Sequence, residues 1–400
     1  MVNFDLISLL VFCAFLFMFF LIKRDKFTVQ GKILAMYRTK IGLNLMDRIA
    51  NAYPRLVKAI GYVGVVFGFS GMVFMFFFLI RETFKFVTMP GTPPPLAPVL
   101  PGVSIPGVPT LSFWHWIIAI FLVALVHEFS HGVLARVHKI KIQSSGFAFM
   151  GPILAAFVEP DEKEMASKKT MQQLSVLAAG PFSNMVLGLI FLLILNFFTG
   201  PLTGSMFQPG GITVSSYMEG YPAEATGLKT PLTILKINGE DTMDFVQFVN
   251  VSSRIKPGDE VLLSTDKGDA KLVAAENPDN KSKGFMGVSG FQQDKKVKEE
   301  FRGYGFWPHV MLWFNVLIGW LFLINIGVGM FNLLPLGPVD GGRIFLTSML
   351  AVFKDKRISM KIFAVVSWLC ILLIFINLWP WIMKLFSWLA KIFFLVVGAI

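Results

Sequence analysis

Six stretches of this chain are apolar over a length that can cross a lipid bilayer: residues 6–22, 59–80, 114–137, 174–198, 310–334 and 362–378. A helix needs about 20 such residues to span roughly 30 Å of hydrocarbon, and in that medium every backbone polar group must be satisfied within the chain. The repetition therefore restricts the fold to a polytopic bundle of membrane-spanning α-helices. Composition agrees, since 54% of the residues are hydrophobic, 15% are charged and 42 are phenylalanine, outside the range of soluble or disordered chains. A seventh stretch, 383–397, carries Lys384 and Lys391 on one helical face and fits either a further span or an amphipathic helix in the interface. Six to seven transmembrane helices are expected.

The formal charge of +11 raises nucleic acid as a partner only for a soluble chain. In a polytopic one, excess Lys and Arg mark cytoplasmic loops, so no nucleic acid is expected and the lipid bilayer is the surrounding partner. Residues 23–58 hold nine basic side chains against Asp25 and Asp47, which places them in the cytoplasm and the N-terminus outside a cell membrane. Residues 81–113 contain eight prolines and read as an extended outer loop. No Lys or Arg precedes the first stretch and no small-residue cleavage site is evident, so it is expected to remain as a helix. Cys13 and Cys370 both lie inside apolar runs, which excludes a disulfide framework or a cysteine zinc site. Any metal falls to His, Asp or Glu.

One long polar stretch, 200–302, lies between the fourth and fifth spans, and span counting makes it extracytoplasmic. Gly211-Ile-Thr-Val214 reads as a strand, Tyr221 to Ala225 as a turn into a brief helix closed by Gly227, and Leu232–Ile237 as a second strand. Asn238-Gly239 is a tight-turn signal, and Pro257-Gly258-Asp259 and Asp266-Lys-Gly268 punctuate further strands. This order resembles a circularly permuted PDZ domain of prokaryotic proteases, with Thr230-Pro231 replacing the usual Gly-Asp. The resemblance implies an inserted PDZ-like α+β domain that takes peptides or chain ends by strand addition; the plain alternative is another small α+β domain. The chain then divides into 1–113, N-terminal helices; 114–199, the first half of a membrane core; 200–302, the PDZ-like domain; and 303–400, the second half with the C-terminal helices.

The third span ends in His127-Glu128-Phe129-Ser130-His131. Residues four apart share a helix face, so both imidazoles can reach one metal ion, with Glu128 beside them as a base. A shuffled chain of this composition would hold about 0.002 copies of HExxH, and ionisable groups within an apolar span are costly enough to signal function. A polar helix end at the interface is the competing reading. Hydrolytic zinc sites take three protein ligands and leave one position open. Among Asp5, His115, His138, His309 and Asp340, the best fit by depth is Asp340, which follows the fifth span at its inner end, the side of His127, whereas Asp5, His115 and His309 lie at outer ends. It stands in Asn332-Leu-Leu-Pro-Leu-Gly-Pro-Val-Asp-Gly-Gly342, where Pro335, Gly337 and Pro338 break the helix; an interfacial turn would look similar.

The two motifs together resemble the site-2 protease family of intramembrane zinc metalloproteases, which pairs HExxH with NxxPxPxxDG. Here Gly337 replaces the second proline and Val339 the common Leu. The resemblance also takes in Phe157-Val-Glu-Pro-Asp161 and Ala179-Gly-Pro-Phe-Ser-Asn184, and covers about 114–343. It implies zinc (Zn2+) on His127, His131 and Asp340, with Glu128 as the catalytic acid/base. Asn184 and Asn332 are expected either to hold substrate backbone or an oxyanion, or to serve as interhelical hydrogen-bond glue. Residues 142–158 are expected to form a membrane-associated hairpin able to pair with an unwound substrate, Gly146, Gly151 and Pro152 supplying turns. The implied activity is hydrolysis within transmembrane protein substrates, after prior trimming that the PDZ-like domain monitors. A metal transporter, or an inactive scaffold using its PDZ-like domain, are the other classes these features fit.

Overall fold

A computed structural model describes residues 4–30, 34–89, 92, 94–101, 109–150, 153–278 and 280–397. They belong to two compact units, the first formed by Met1–Pro101, Ser112–Leu193 and Leu317–Ile400, the second by Gly102–Leu111 and Ile194–Val316. Gly151, Pro152, Lys32 and Lys391 fall outside the described residues or side chains.

The first unit opens with α1 (Phe4–Ile22) and then departs from the expected basic loop. Residues after Lys23 fold into β1 (Phe27–Gln30), β2 (Leu34–Thr39) and α2 (Leu43–Ala52) before α3 (Pro54–Thr88) begins. Helix α2 is amphipathic, burying Leu43, Met46 and Ala50 against α4 (Phe113–Val137), with Asp47 paired to Arg136 at 3.0 Å. Pro54 opens α3, where its missing N–H costs nothing. Ser112 caps α4 through the amide of His115.

After α4 come β3 (Ile142–Met150) and β4 (Ile153–Pro160), the expected hairpin, except that Gly146 supplies no turn and lies mid-strand in β3, opposite Phe157. They extend the first hairpin into one antiparallel sheet ordered β1-β2-β3-β4, with Arg38 opposite Gly146 and Ser145 opposite Val158. Strand β4 is thus a sheet edge. Asp161 caps the short α5 (Glu162–Ala166), and α6 (Thr170–Ile194) follows, with Pro181 inside it. A π-helical turn at Leu195–Thr199 and α7 (Gly200–Met206) prolong it. The unit's core joins Met46, Val65, Leu134, Ala135, Val176, Ala178 and Ile344.

The second unit holds a sheet ordered β12-β5-β6-β8-β9, formed by β5 (Phe207–Tyr217), β6 (Leu232–Ile237), β8 (Glu260–Thr265), β9 (Gly268–Val273) and β12 (Val288–Val297). Strand β7 (Glu240–Asp241) pairs with β6, and β10 (Ala275–Glu276) with β11 (Gly284–Phe285). Asn238 and Gly239 both take positive φ, 52° and 81°, as a two-residue hairpin turn between β6 and β7 requires. Asp244 caps α8 (Phe245–Ser252), an element the strand-centred reading lacked. Ile212, Val214, Ile234, Ile237 and Val261 fill the core with no exposed surface.

The chain returns through α9 (Trp307–Phe331), turns at residues 332–339, and continues as α10 (Asp340–Phe353) and α11 (Lys356–Val397). Five helices among the described residues are long and apolar enough to cross a membrane: Pro54–Thr88, Phe113–Val137, Thr170–Met206, Trp307–Phe331 and Lys356–Ser387. The first expected span forms the helix α1, of 19 residues. The stretches 362–378 and 383–397 are not separate elements. One helix of 42 residues runs through both, with Pro380 inside it, because membrane helices re-satisfy the backbone group a proline frees.

Candidate active site

Helix α4 carries His127 and His131 on one face near its C-terminal end, both 7% exposed. Asp340, the first residue of α10, meets them: its Oδ2 lies 2.9 Å from His127 Nε2 and 3.3 Å from His131 Nε2. The position at a helix N-terminus suits a carboxylate, since the orphan amides there carry partial positive charge. The turn that delivers it is tight. Gly341 donates to the carbonyl of Asn332 at 2.7 Å and Gly342 to that of Val339 at 3.1 Å. A side chain on Gly341 would strike the backbone of Leu333 and Leu334, and one on Gly342 that of Leu336. This explains the Asp-Gly-Gly triplet.

Helix α6 closes the other side of the imidazoles. His131 Nδ1 donates to the carbonyl of Val176 at 2.6 Å. Asn184 is fully buried and its amide lies 3.0 Å from His127 Nδ1. A methyl group at Gly180 would overlap both Nε2 atoms, so glycine keeps that face clear. Glu128 points instead towards β4, where its carboxylate accepts the backbone N–H of Val158 at 3.0 Å.

A cavity of about 300 Å³ opens beside these groups, lined by His127, Glu128, Ala155, Ala156, Asn332 and Asp340 among others. Asn332 therefore lines this cavity. Asn184 does not: it backs onto His127 with no exposed surface, an arrangement that suits the hydrogen bond between helices expected as one of its two roles. The remaining candidates lie elsewhere. Asp5 accepts the amide of Phe113, His115 meets Ser112, His138 meets Ser175, and His309 packs against Phe207.

His127, His131 and Asp340 are the cluster of metal-ligating side chains found among the described residues, each offering one ligand atom and all within 4.8 Å of one another. Two imidazole nitrogens and one carboxylate oxygen form a donor set zinc accepts, and tetrahedral bonds of about 2.0–2.1 Å place ligand atoms about 3.3 Å apart. The separations from Asp340 Oδ2, 2.9 and 3.3 Å, fit it. Residues that sequence reasoning missed are Gly180, Val176 and Val158. Only the Gly-Pro pair inside an apolar span signalled the first; the other two act through backbone atoms, which carry no residue-type signal.

Membrane-spanning helices around a buried His-His-carboxylate set with an adjacent glutamate define a membrane metalloprotease. The chain belongs to peptidase family M50, the site-2 protease family, whose model matches residues 115–376. It is similar to an uncharacterized protein of Methanocaldococcus jannaschii, at 28% identity over 350 residues covering 84% of each chain. It is also similar to the zinc metalloprotease RasP of Shouchella clausii, at 24% identity over 279 residues, 58% of this chain and 65% of that one.

Proposed function

We propose that this protein is a zinc-dependent intramembrane endopeptidase that hydrolyses peptide bonds within transmembrane segments of other proteins. The observation that carries the reading is the convergence of His127, His131 and Asp340 on one point, with Glu128 lining the same cavity. His127, His131 and Asp340 would hold the ion. When bound, zinc would supply Lewis acidity at the scissile carbonyl and at the attacking water. Glu128 would act as the base towards an attacking water and as the acid towards the leaving amine. Asn332, at the cavity wall, is placed to hold substrate backbone or the developing oxyanion. A transmembrane helix hides its amides in internal hydrogen bonds, so the substrate must unwind locally; the open edge of β4 beside Glu128 supplies replacement partners.

The charge of residues 23–58 supports a cytoplasmic position for the site and an extracytoplasmic one for the second unit. That unit is read as PDZ-like: β12 is an edge strand, and a cavity of about 690 Å³ lined by Phe245 of α8 and by Phe291, Asp294 and Lys295 of β12 runs along it. An extended peptide or chain end would add there as a further strand, and this unit would admit substrates already trimmed outside the membrane.

The test combines zinc analysis of the purified protein with cleavage of a model transmembrane substrate by wild type and by Glu128→Gln. Zinc retained with cleavage abolished is expected. Cleavage surviving in the variant, or a wild type that binds zinc but cuts nothing, would overturn the proposal; the second result is what a transporter or scaffold gives.

A further inference from the structure

The place of Asn184 points to a role tied to the metal and not to the substrate. Its carboxamide is buried without exposed surface, its Nδ2 faces His127 Nδ1 at 3.0 Å, and its Oδ1 has no hydrogen-bond partner. A neutral imidazole carries one proton on two nitrogens, so each partner dictates where that proton sits. As the side chains stand, Nδ1 faces an amide group that can only donate, which leaves the ring's one proton for Nε2, the atom that faces Asp340 at 2.9 Å. A ring that offers Nε2 to a metal must carry the proton on Nδ1 instead, and its neighbour must then accept.

A carboxamide can meet both demands, by half a turn about its last torsion, which is a soft one. The orphaned oxygen is the acceptor the second state needs. His131 offers the contrast: its Nδ1 faces the Val176 carbonyl at 2.6 Å, a group that only accepts, so that nitrogen keeps its proton whether or not a metal is bound. Resting on the zinc site proposed above, we infer that Asn184 is a positioning residue that changes hand with metal loading, donating to His127 when the ion is absent and accepting from it when the ion is bound.

The experiment measures zinc affinity of the full-length protein in detergent by competition with a chromophoric chelator, and the visible spectrum of the cobalt-substituted form, for wild type, Asn184→Asp and Asn184→Leu. Asp keeps an acceptor and Leu keeps only the volume. Loss of a partner behind a ligating histidine typically weakens metal binding about 10- to 100-fold, and that loss is expected for Leu, with altered cobalt bands. The Asp variant is expected to bind at least as tightly as wild type with unchanged bands. Should Leu fail to fold, Asn184→Ala takes its place with the same expected loss. Equal zinc affinity in the wild type and the Leu or Ala variant, or equal weakening in Asp, would overturn the inference. A wild type that binds no zinc would instead overturn the function proposed above.

Discussion

The carboxylate of Glu128 accepts a hydrogen bond from the backbone amide of Val158 at 3.0 Å, which fastens the acid on α4 to the edge strand β4. Because that N–H points away from β3, alternation along an antiparallel strand turns the N–H and C=O of Ala156 and Leu154 to the same free edge. Glu128 thus ends the row of groups to which an extended substrate would bond. Hydrogen bonds to a charged group contribute about 1.5–3 kcal/mol, and edge positions whose N–H leaves the ladder tolerate proline. Val158→Pro should therefore lower kcat roughly 10-fold, part of that contribution, without changing zinc content. Unchanged kcat in a folded variant would show that the tether does not position the acid.

Gly180 bears on the metal from the opposite side. Alanine is the better helix former by about 1 kcal/mol, so Gly180→Ala improves α6 locally. The added methyl group nevertheless overlaps both Nε2 atoms. Zinc content after purification should fall close to zero while the protein remains monodisperse and helical by circular dichroism. Full zinc occupancy in this variant would mean that the ion approaches the histidines from elsewhere.

The candidate ligands were legible because their signal is local. His127 and His131 are one helical turn apart, and Asp340 follows prolines and glycines that had to break a helix. Asn238-Gly239 was equally readable, since two positive φ angles in sequence admit few residue types. What stayed hidden depends on distant partners. Strands β1 and β2 are four and six residues long, too short for their pattern to stand out from the basic residues that flank them, and they gain a place because β3 offers an edge. The buried face of α2 exists only against α4. An asparagine in an apolar span looks the same whichever way it faces, so the difference between Asn332 in the cavity and Asn184 behind His127 needed the packing of α6 and the turn after α9.

His138 gives the fold a pH dependence. Its Nε2 donates to the Ser175 hydroxyl at 2.8 Å, and burial, with Lys58 and Lys168 nearby, pushes it down to about 4. The unfolded chain binds this proton below about pH 6.5, and the folded one only near 4. Unfolding therefore takes up a proton between those values, and stability falls as the pH drops through the window, by at most about 1.4 kcal/mol per pH unit; above it this residue contributes no slope. Thermal unfolding in detergent at a series of pH values should show the decline in wild type and a shallower one in His138→Gln. Superimposable slopes would exclude His138 as the cause.

Glu159 clamps three strands of the sheet that carries the free edge. Its carboxylate accepts from Ser144 of β3 at 2.7 Å and pairs with Arg38 of β2 at 3.2 Å. The Ser144 hydrogen bond foremost, then the Arg38 guanidinium, hold it below the usual carboxylate range. A depressed acid contributes fully above its ordinary range and loses that contribution only as the pH falls through the lowered value, so the clamp should be constant from neutral pH down to that range. A partly exposed pair of this kind contributes about 0.2–1 kcal/mol. Arg38→Ala should accordingly speed amide exchange in β2 and in residues 154–158 of β4 about 2- to 5-fold, lower turnover modestly by loosening the strand that tethers Glu128, and leave zinc content unchanged. High salt should reproduce part of the effect in wild type, because the pair is screened. Unaltered exchange in β4 would show that the sheet edge is held by its ladder alone.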